Sequence, residues 1–246
     1  MESVKADLGK SHALRTDGER VETEDRFEVT SPGDFDLKIG EFAAGGEAEV
    51  DAAVTAAAEA FPEWEHRDIT ARTDIFQDAA ERMRERKFEL AATISLENGK
   101  NRTEVTADVD EAIDFLRFYS RELERLDGYR SDTGQPTPDQ HTTNLLRPYG
   151  VFGVVAPFKF PLAILAGMLI GNTVVAKPAS ATPLIAHKYA DILADAGLPD
   201  GVFNLVTGGG SAVGQPLTEH EDIAGVAVHG VARSRPRYRA VVPRAG

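Results

Sequence analysis

An alternation of short β-branched runs and helix-like segments within residues 147–207 limits the possible folds more than any other feature of this chain. Three such runs begin at Val151, Val174 and Val202, and each ends in proline or glycine. This order predicts a strand–helix–strand–helix–strand unit. Such units pair their strands in parallel through right-handed crossovers, and ligands bind at the carboxyl ends of the strands. We therefore expect the chemistry to gather at residues 157–159, 177–180 and 208–214.

The preceding residues predict a hairpin followed by helices. Residues 1–25 are polar and predict either a frayed arm or an edge strand. Alternating runs at 26–29 and 39–43, on either side of a Ser-Pro-Gly turn, predict a β-hairpin. Apolar residues at helical spacing predict four helices, at 47–61 (ending at Pro62), 70–86, 87–96 and 103–126. The carboxylates on the fourth helix, including Asp108, are expected to be solvated. A Gly/Pro/Asp-rich segment predicts a loop at 128–140, followed by a strand at 141–146. The fold class is thus α/β: a Rossmann-like parallel sheet with an N-terminal hairpin and helices.

Charge and composition exclude several classes of function. Acidic residues outnumber basic ones 40 to 27, which argues against a nucleic-acid partner. The bases are 19 Arg and 8 Lys, and we favour a protein adapted to a salt-rich cytoplasm over an ordinary acidic cytosolic one. The chain has no cysteine, so it offers no disulfide, thiolate metal site or cysteine nucleophile, and its six histidines show no metal-ligand spacing. No signal peptide is visible, and the longest apolar run, 160–170, is too short to cross a bilayer, so we expect a cytoplasmic protein without a membrane partner.

Four motifs in a fixed order resemble one enzyme family. They are 157–161 (Pro-Phe-Lys-Phe-Pro), 171–179 (Gly-Asn-Thr-Val-Val-Ala-Lys-Pro-Ala), 196–204 (Ala-Gly-Leu-Pro-Asp-Gly-Val-Phe-Asn) and 207–214 (Thr-Gly-Gly-Gly-Ser-Ala-Val-Gly). Their combination is similar to the NAD(P)-dependent aldehyde dehydrogenase superfamily, and the resemblance covers about residues 18–227. Segments 112–119 and 160–168 are most similar to the 1-pyrroline-5-carboxylate dehydrogenase branch, which oxidises glutamate semialdehyde to glutamate. The resemblance implies the N-terminal part of that fold, NAD or NADP as cofactor, a small aldehyde substrate, and homo-oligomers.

The resemblance also assigns cofactor contacts. A lysine after a strand is, taken alone, more often a surface residue, but by resemblance Lys177 binds the adenosine ribose hydroxyls. Ser180 stands where many NAD-specific relatives have a glutamate that would repel a 2′-phosphate, so tolerance of NADP is a hypothesis. A glycine turn between strand and helix is a weak pattern alone, usually structural, but in this family it lies near the adenine. The full set of implied cofactor residues is Ala156, Pro157, Phe158, Lys177, Ala179, Ser180, Gly208, Gly210 and Gly214.

Two departures from the family put catalysis in doubt. Lys159 occupies the position of an asparagine whose amide helps to stabilise the oxyanion, and we interpret it as drift rather than tuning. Nine residues, 162–170, separate two of the motifs, about five fewer than relatives have; five helical residues span roughly 7.5 Å. This shortening should shift the strand that leads to Lys177 unless the loop compensates.

The end of the chain changes character. Residues 233–246 contain five Arg and no acid, and we infer that 228–246 is an out-of-frame basic tail after a truncated NAD(P)-binding domain, 1–227, whose segment 131–147 forms an oligomerisation arm. The family's nucleophilic cysteine and general-base glutamate would lie beyond it, so we expect an inactive chain. The alternative is a non-catalytic nucleotide-binding or assembly subunit that pairs with a full-length paralogue.

Overall fold

The computed structural model describes residues 2–6, 8–167 and 171–229. The expected basic tail lies outside these ranges except for its first two residues. The helices are α1 (Glu2–Lys5), α2 (Glu47–His66), α3 (Ile69–Glu85), α4 (Lys87–Asn98), α5 (Arg102–Arg125), α6 (Ala163–Ala166), α7 (Leu184–Asp195) and α8 (Gln215–Glu219), the last preceded by a π-helical turn, Gly210–Gly214. The strands are β1 (Ser11–His12), β2 (Leu14–Thr16), β3 (Glu19–Val21), β4 (Arg26–Ser31), β5 (Asp34–Ala43), β6 (Arg130–Thr137), β7 (Gln140–Leu145), β8 (Val151–Val155), β9 (Thr173–Lys177), β10 (Phe203–Leu205) and β11 (Ile223–Val228). Among these, no helix is long and apolar enough to cross a membrane.

The central sheet has the order β11-β8-β9-β10-β2-β3. The first four strands run parallel, and the β2–β3 hairpin continues the sheet in antiparallel fashion. The predicted parallel α/β class is therefore confirmed, and the edge-strand alternative for the N-terminal residues is the right one. Strand β8 pairs with β9 from Val151↔Thr173 to Val155↔Lys177 without a shift of register, so in this chain the short connection leaves the strand leading to Lys177 in full register.

Helices cover both faces of this sheet. Every residue of β9 is buried, because successive side chains of a strand point to opposite faces and both faces are packed. Val174 and Ala176 join the larger hydrophobic cluster, formed with α3, α4, α5 and α7. Val175 joins the smaller cluster, formed with α2 and the π-helical turn. The packing fixes which residues emerge at the strand ends.

The N-terminal hairpin is formed by β4 and β5, as predicted, and packs with β1 as a separate three-stranded sheet. Helix α2, however, does not end at Pro62 but continues to His66. Proline removes one backbone hydrogen bond, but tertiary packing outweighs that loss here. Trp64 in the last turn is buried and lies edge-on against Phe76 of α3, with ring centroids 6.0 Å apart.

Residues 128–140 are not the loop that their composition predicts. Residues 130–137 form β6, which pairs antiparallel with β7 in a two-stranded hairpin, hereafter the arm. Every residue of the arm is exposed, so burial does not alternate along it. The sequence of β6 therefore has no periodic hydrophobic pattern from which a strand could be predicted.

Candidate functional site at the carboxyl ends of the parallel strands

Three segments follow the parallel strands and meet at one edge of the sheet. The Ala156 amide donates to the carbonyl of Lys177 at 3.0 Å, and the Val206 amide donates to that of Ala176 at 3.0 Å. One step further out, the Ser180 hydroxyl donates to the Gly208 carbonyl at 2.9 Å. The residues expected from the sequence to surround a ligand are therefore adjacent in space.

Lys177 is the buried cation at this edge. The last residue of β9, it is only 5% exposed, and its Nζ donates to the Pro178 carbonyl at 3.0 Å. Removal from water lowers the pKa of Lys177 to about 8, since burial disfavours the charged form. A primary amine has several donors, and one carbonyl leaves donors available for an incoming hydroxyl group.

The glycine turn has one position at which only glycine fits. Gly208 has φ +152°, and a Cβ on it would lie 2.6 Å from Val213 Cγ2 and 3.0 Å from the Gly45 carbonyl. By contrast, a Cβ on Gly209 or Gly210 would meet no atom within 4 Å. The turn therefore has a close-packed base at Gly208 and an open outer rim at Gly209 and Gly210.

The base of this turn is held by hydrogen bonds to the end of β5 and to the segment after it. Thr207 is buried, and its hydroxyl donates to the Ala43 carbonyl at 2.6 Å, while the Gly45 amide donates to the Thr207 carbonyl at 2.8 Å. Gly214 is buried at the end of the π-helical turn. This turn and α8 form one helical stretch over residues 210–219. The outer rim is thus placed by contacts that do not depend on a ligand.

The remaining expected residues lie in the segments after β8 and β9. Ala156 is buried, Pro157 and Ala179 are half-buried, and Phe158 is 45% exposed. Lys159, at the position expected for an oxyanion-stabilising group, is exposed, with its Nζ 5.8 Å from the Phe160 ring centroid. A flexible four-carbon chain at that distance does not present a fixed donor, unlike a short amide.

The sequence prediction for Asp108, which lies behind this segment, was wrong. Asp108 is 1% exposed rather than solvated, and its Oδ1 accepts from the Ala163 amide at 3.0 Å. Lys100 Nζ lies 3.9 Å from Asp108 Oδ2 and 4.1 Å from the Phe160 ring centroid. Burial raises the pKa of Asp108 to about 6. The helical spacing does indicate that Asp108 is buried, because position 108 lies on the same face of the helix as the apolar Val105.

Glu97 fixes the helix that follows Ser180. Its two carboxylate oxygens accept from the amides of Leu184 at 2.6 Å and Ile185 at 3.0 Å, the first residues of α7. Glu97 is 1% exposed, and burial raises its pKa to about 8 against the opposing effect of these two bonds. Gly99 ends α4 with φ +74°, in the left-handed conformation that glycine adopts readily at a helix end. These contacts give Glu97 and Gly99 structural roles.

The fold is that of an open α/β protein with a largely parallel sheet, in which a ligand is expected at the carboxyl ends of β8, β9 and β10. Within the part of the chain that the structure describes, no group of three or more His, Asp or Glu side chains is placed to hold a metal ion. The sequence pattern of the aldehyde dehydrogenase family matches residues 20–237. The chain therefore belongs to the aldehyde dehydrogenase family, as the resemblance predicted.

Among the similar curated proteins are several 1-pyrroline-5-carboxylate dehydrogenases. A 1-pyrroline-5-carboxylate dehydrogenase of Geobacillus thermodenitrificans is 40% identical over 226 residues, covering 89% of this chain and 43% of that protein. The 1-pyrroline-5-carboxylate dehydrogenase 2 of Bacillus subtilis is 38% identical over 224 residues, with the same two coverages. The chain thus spans less than half the length of these curated relatives.

Solved structures are similar as well. A 1-pyrroline-5-carboxylate dehydrogenase from Thermus with bound NAD is 38% identical, with a TM-score of 0.86 over 92% of this chain and 44% of that one. Proline utilization A from Bdellovibrio bacteriovorus gives a TM-score of 0.89 at 31% identity, over 92% of this chain and 24% of that one. The expectation of an N-terminal part of the aldehyde dehydrogenase fold is confirmed. The individual cofactor contacts stay predictions.

Proposed function

We propose that this chain is the dinucleotide-binding portion of an aldehyde dehydrogenase that oxidises 1-pyrroline-5-carboxylate, as glutamate semialdehyde, to glutamate with NAD or NADP. The main observation is the meeting of buried Lys177, Ser180 and the Gly208 turn at one edge, with open space outside Gly209. The names of the similar proteins support the substrate, and the NAD bound to the Thermus enzyme supports the cofactor.

The residues present fit a nicotinamide dinucleotide. Lys177 would donate hydrogen bonds to ribose hydroxyls. Such bonds favour the charged ammonium and so oppose the effect of burial, which lowers the pKa of Lys177. The open rim of the glycine turn would accommodate the adenosine half, and a backbone without side chains permits close approach. The remaining lining would come from Ala156, Pro157, Phe158, Ala179, Ser180, Gly210 and Gly214. The bound nicotinamide would supply a hydride acceptor.

Ser180 bears on the choice between NAD and NADP. It is exposed and neutral, and it donates to the Gly208 carbonyl. A carboxylate here would repel a 2′-phosphate, whereas a hydroxyl does not. We therefore propose that the chain accepts both cofactors.

The residues of this chain limit which steps of aldehyde oxidation it can perform. Its 246 residues include no cysteine, so they supply no thiolate to attack an aldehyde. Lys159 can place a positive charge near the reacting carbonyl, but it cannot replace the missing nucleophile. We propose that the chain binds cofactor and does not oxidise aldehydes by the family's route.

Calorimetric titration of the purified chain with NAD and with NADP tests this proposal. We expect micromolar binding of both, with Ser180→Glu weakening NADP binding and retaining NAD. Ser131→Glu adds the same charge on the exposed arm and should change neither affinity. A folded, monodisperse chain that binds neither cofactor would refute the proposal. Formation of NADH from glutamate semialdehyde would refute the claim of inactivity alone.

An assembly subunit is the second candidate, favoured by the arm. It projects as a wholly exposed hairpin, and the chain beside it exposes 61% of Leu146 and 75% of Tyr149. Exposed apolar groups beside an unpaired hairpin are typical of a protein-binding surface. Co-expression with a full-length 1-pyrroline-5-carboxylate dehydrogenase tests this candidate. A stable mixed oligomer would favour it, and separate elution of the two proteins would count against it.

The out-of-frame tail also remains a proposal. Val228 completes β11 opposite Val155, so the strand extends one residue past the proposed boundary at 227. The rest of the proposed tail, 230–246, lies outside the described residues. Sequencing the gene tests it: another frame should encode Phe-Thr-Gly-Ser at this point, and the absence of such a frame would end the idea.

A further inference from the structure

A polar cavity of about 310 Å³ lies on the side of α7 that faces the N-terminal strands. Its ionisable nitrogen-bearing residues are Lys10, His12, Arg15, Arg20, His187 and Lys188. None of them belongs to the expected cofactor set. A concave cluster of bases is unexpected in a chain whose net charge is −13, because most of its surface repels anions.

Existing ion pairs account for part of this charge. Arg15 pairs with Asp191 inside the cavity. Lys188 pairs with Glu89 at 2.7 Å, and the cavity's other carboxylate, Glu22, pairs with Arg26 at 2.6 Å. The side chain of Arg20, in contrast, makes no hydrogen bond or ion pair with any residue that the structure describes. The cavity therefore holds at least one guanidinium whose charge is not balanced by a carboxylate.

Two neighbouring histidines form the inner wall, and each stacks on Phe42. The rings of His12 and His187 lie 5.1 Å apart, and Phe42 stacks on His12 at 4.9 Å and contacts His187 at 5.6 Å. His187 is 4% exposed, and its Nε2 has no hydrogen-bond partner among the described residues. A buried polar atom without a partner is rare and calls for an explanation, of which an absent ligand is one.

The charges around these rings favour a neutral state without a ligand. Burial lowers the pKa of His187 to about 3, with smaller contributions from His12, Arg15 and Arg20. Burial also lowers the pKa of His12, helped by the cations Lys10, Arg20 and Lys188 and opposed by Asp191. An anion placed among these groups would oppose these effects, since an opposite charge favours the protonated imidazole.

We propose that this cavity is an anion site that binds a phosphate group, with Arg20 and His12 at its mouth and His187 at its base. A guanidinium presents paired donors that match phosphate oxygens, and a protonated imidazole adds a charge-assisted hydrogen bond. The cavity volume exceeds that of a bare phosphate ion and suits a small phosphomonoester. Binding takes up protons at the histidines, so affinity falls as pH rises above the range in which His12 can be protonated.

Imidazole NMR resonances of the full chain, titrated with inorganic phosphate or glycerol phosphate against chloride at equal ionic strength, test the proposal. We expect saturable shifts of His12 and His187, with their pKa values raised. The other four histidines, at 66, 141, 220 and 229, should not move and serve as internal references. Stronger binding of the ester would assign the phosphate to a small metabolite, and equal binding to the free ion; both support the site.

Arg20→Gln should weaken binding at least about tenfold, the effect of losing one charge-assisted bond. Arg20 is exposed on an edge strand, so this variant should fold, and NAD titration provides an independent check. Arg130→Gln on the exposed arm removes the same charge and should leave binding unchanged. Shifts that chloride reproduces, shifts that do not saturate, or equal affinity in Arg20→Gln would each overturn the proposal, whatever the outcome for the cofactor.

Discussion

Replacing Lys177 by methionine should raise stability and weaken cofactor binding. Lys177 is 5% exposed, and burial lowers its pKa from 10.5 to about 8. A difference of this size corresponds to about 3 kcal/mol of unfavourable free energy for the charged form. Methionine has a similar length and no charge, so it removes that cost together with the hydrogen bond to the Pro178 carbonyl. After allowing for the lost bond, we expect a net gain of about 2 kcal/mol in the free energy of unfolding at neutral pH.

The pH dependence identifies the cause. The folded state gives up the Lys177 proton more easily than the unfolded chain does, so the cost is complete below pH about 8 and vanishes as pH rises past 10.5. Wild-type stability should therefore gain a positive contribution between these two values that the variant lacks. The advantage of Lys177→Met should shrink over the same range, and at its upper end only the lost hydrogen bond should remain, leaving the variant less stable by about 1 kcal/mol.

Urea unfolding followed by Trp64 fluorescence measures both effects, because Trp64 is the chain's one tryptophan and is buried. NAD calorimetry on the same samples should show binding weakened by about ten- to a hundredfold, the effect of losing a charged donor. Lys188→Met is the matched control: it breaks the ion pair with Glu89 and should lower stability. Lower stability of Lys177→Met at neutral pH, or an advantage independent of pH, would refute the reasoning.

Three further predictions concern the supports of the site. Gly208→Ala should lower stability by about 1–3 kcal/mol and abolish NAD binding, because its Cβ would lie 2.6 Å from Val213 Cγ2, whereas Gly209→Ala should fold like the wild type in thermal denaturation. Asp108→Asn should remove the fall in urea stability that occurs as pH rises from 3.8 to about 6, because the folded state holds this proton more strongly; an unchanged profile would contradict the assignment. Glu97→Gln should cost about 1–3 kcal/mol, since an amide nitrogen would face one of the two donating N–H groups of α7; equal urea midpoints would exclude this account.

The parallel sheet could be predicted because its strands are buried on both faces. Such strands are continuous β-branched runs that end at proline or glycine, and this pattern located β8 and β9 correctly. The ligand edge stays a prediction. The predicted helix boundaries fell within about two residues at most ends. Pro62 was the exception, because the burial of Trp64 on α3 outweighs the local preference of proline.

Other features depend on contacts between distant residues and were not predictable in the same way. The strand β6 has no hydrophobic period because its residues are all exposed. The cavity beside α7 joins His12 to His187, which are 175 positions apart, and no local pattern relates them. Asp108 is different, since its position on the helix does indicate burial. Solvent exposure was predicted only because its side chain is a carboxylate.

Hydrogen–deuterium exchange with and without NAD tests the central claim most directly, namely that this chain binds a dinucleotide at the ends of β8, β9 and β10. We predict NAD-induced protection confined to residues 156–159, 177–180 and 207–214, with no change in the arm, and loss of that protection in Gly208→Ala. Protection elsewhere, or none in a folded wild-type chain at saturating NAD, would contradict the account.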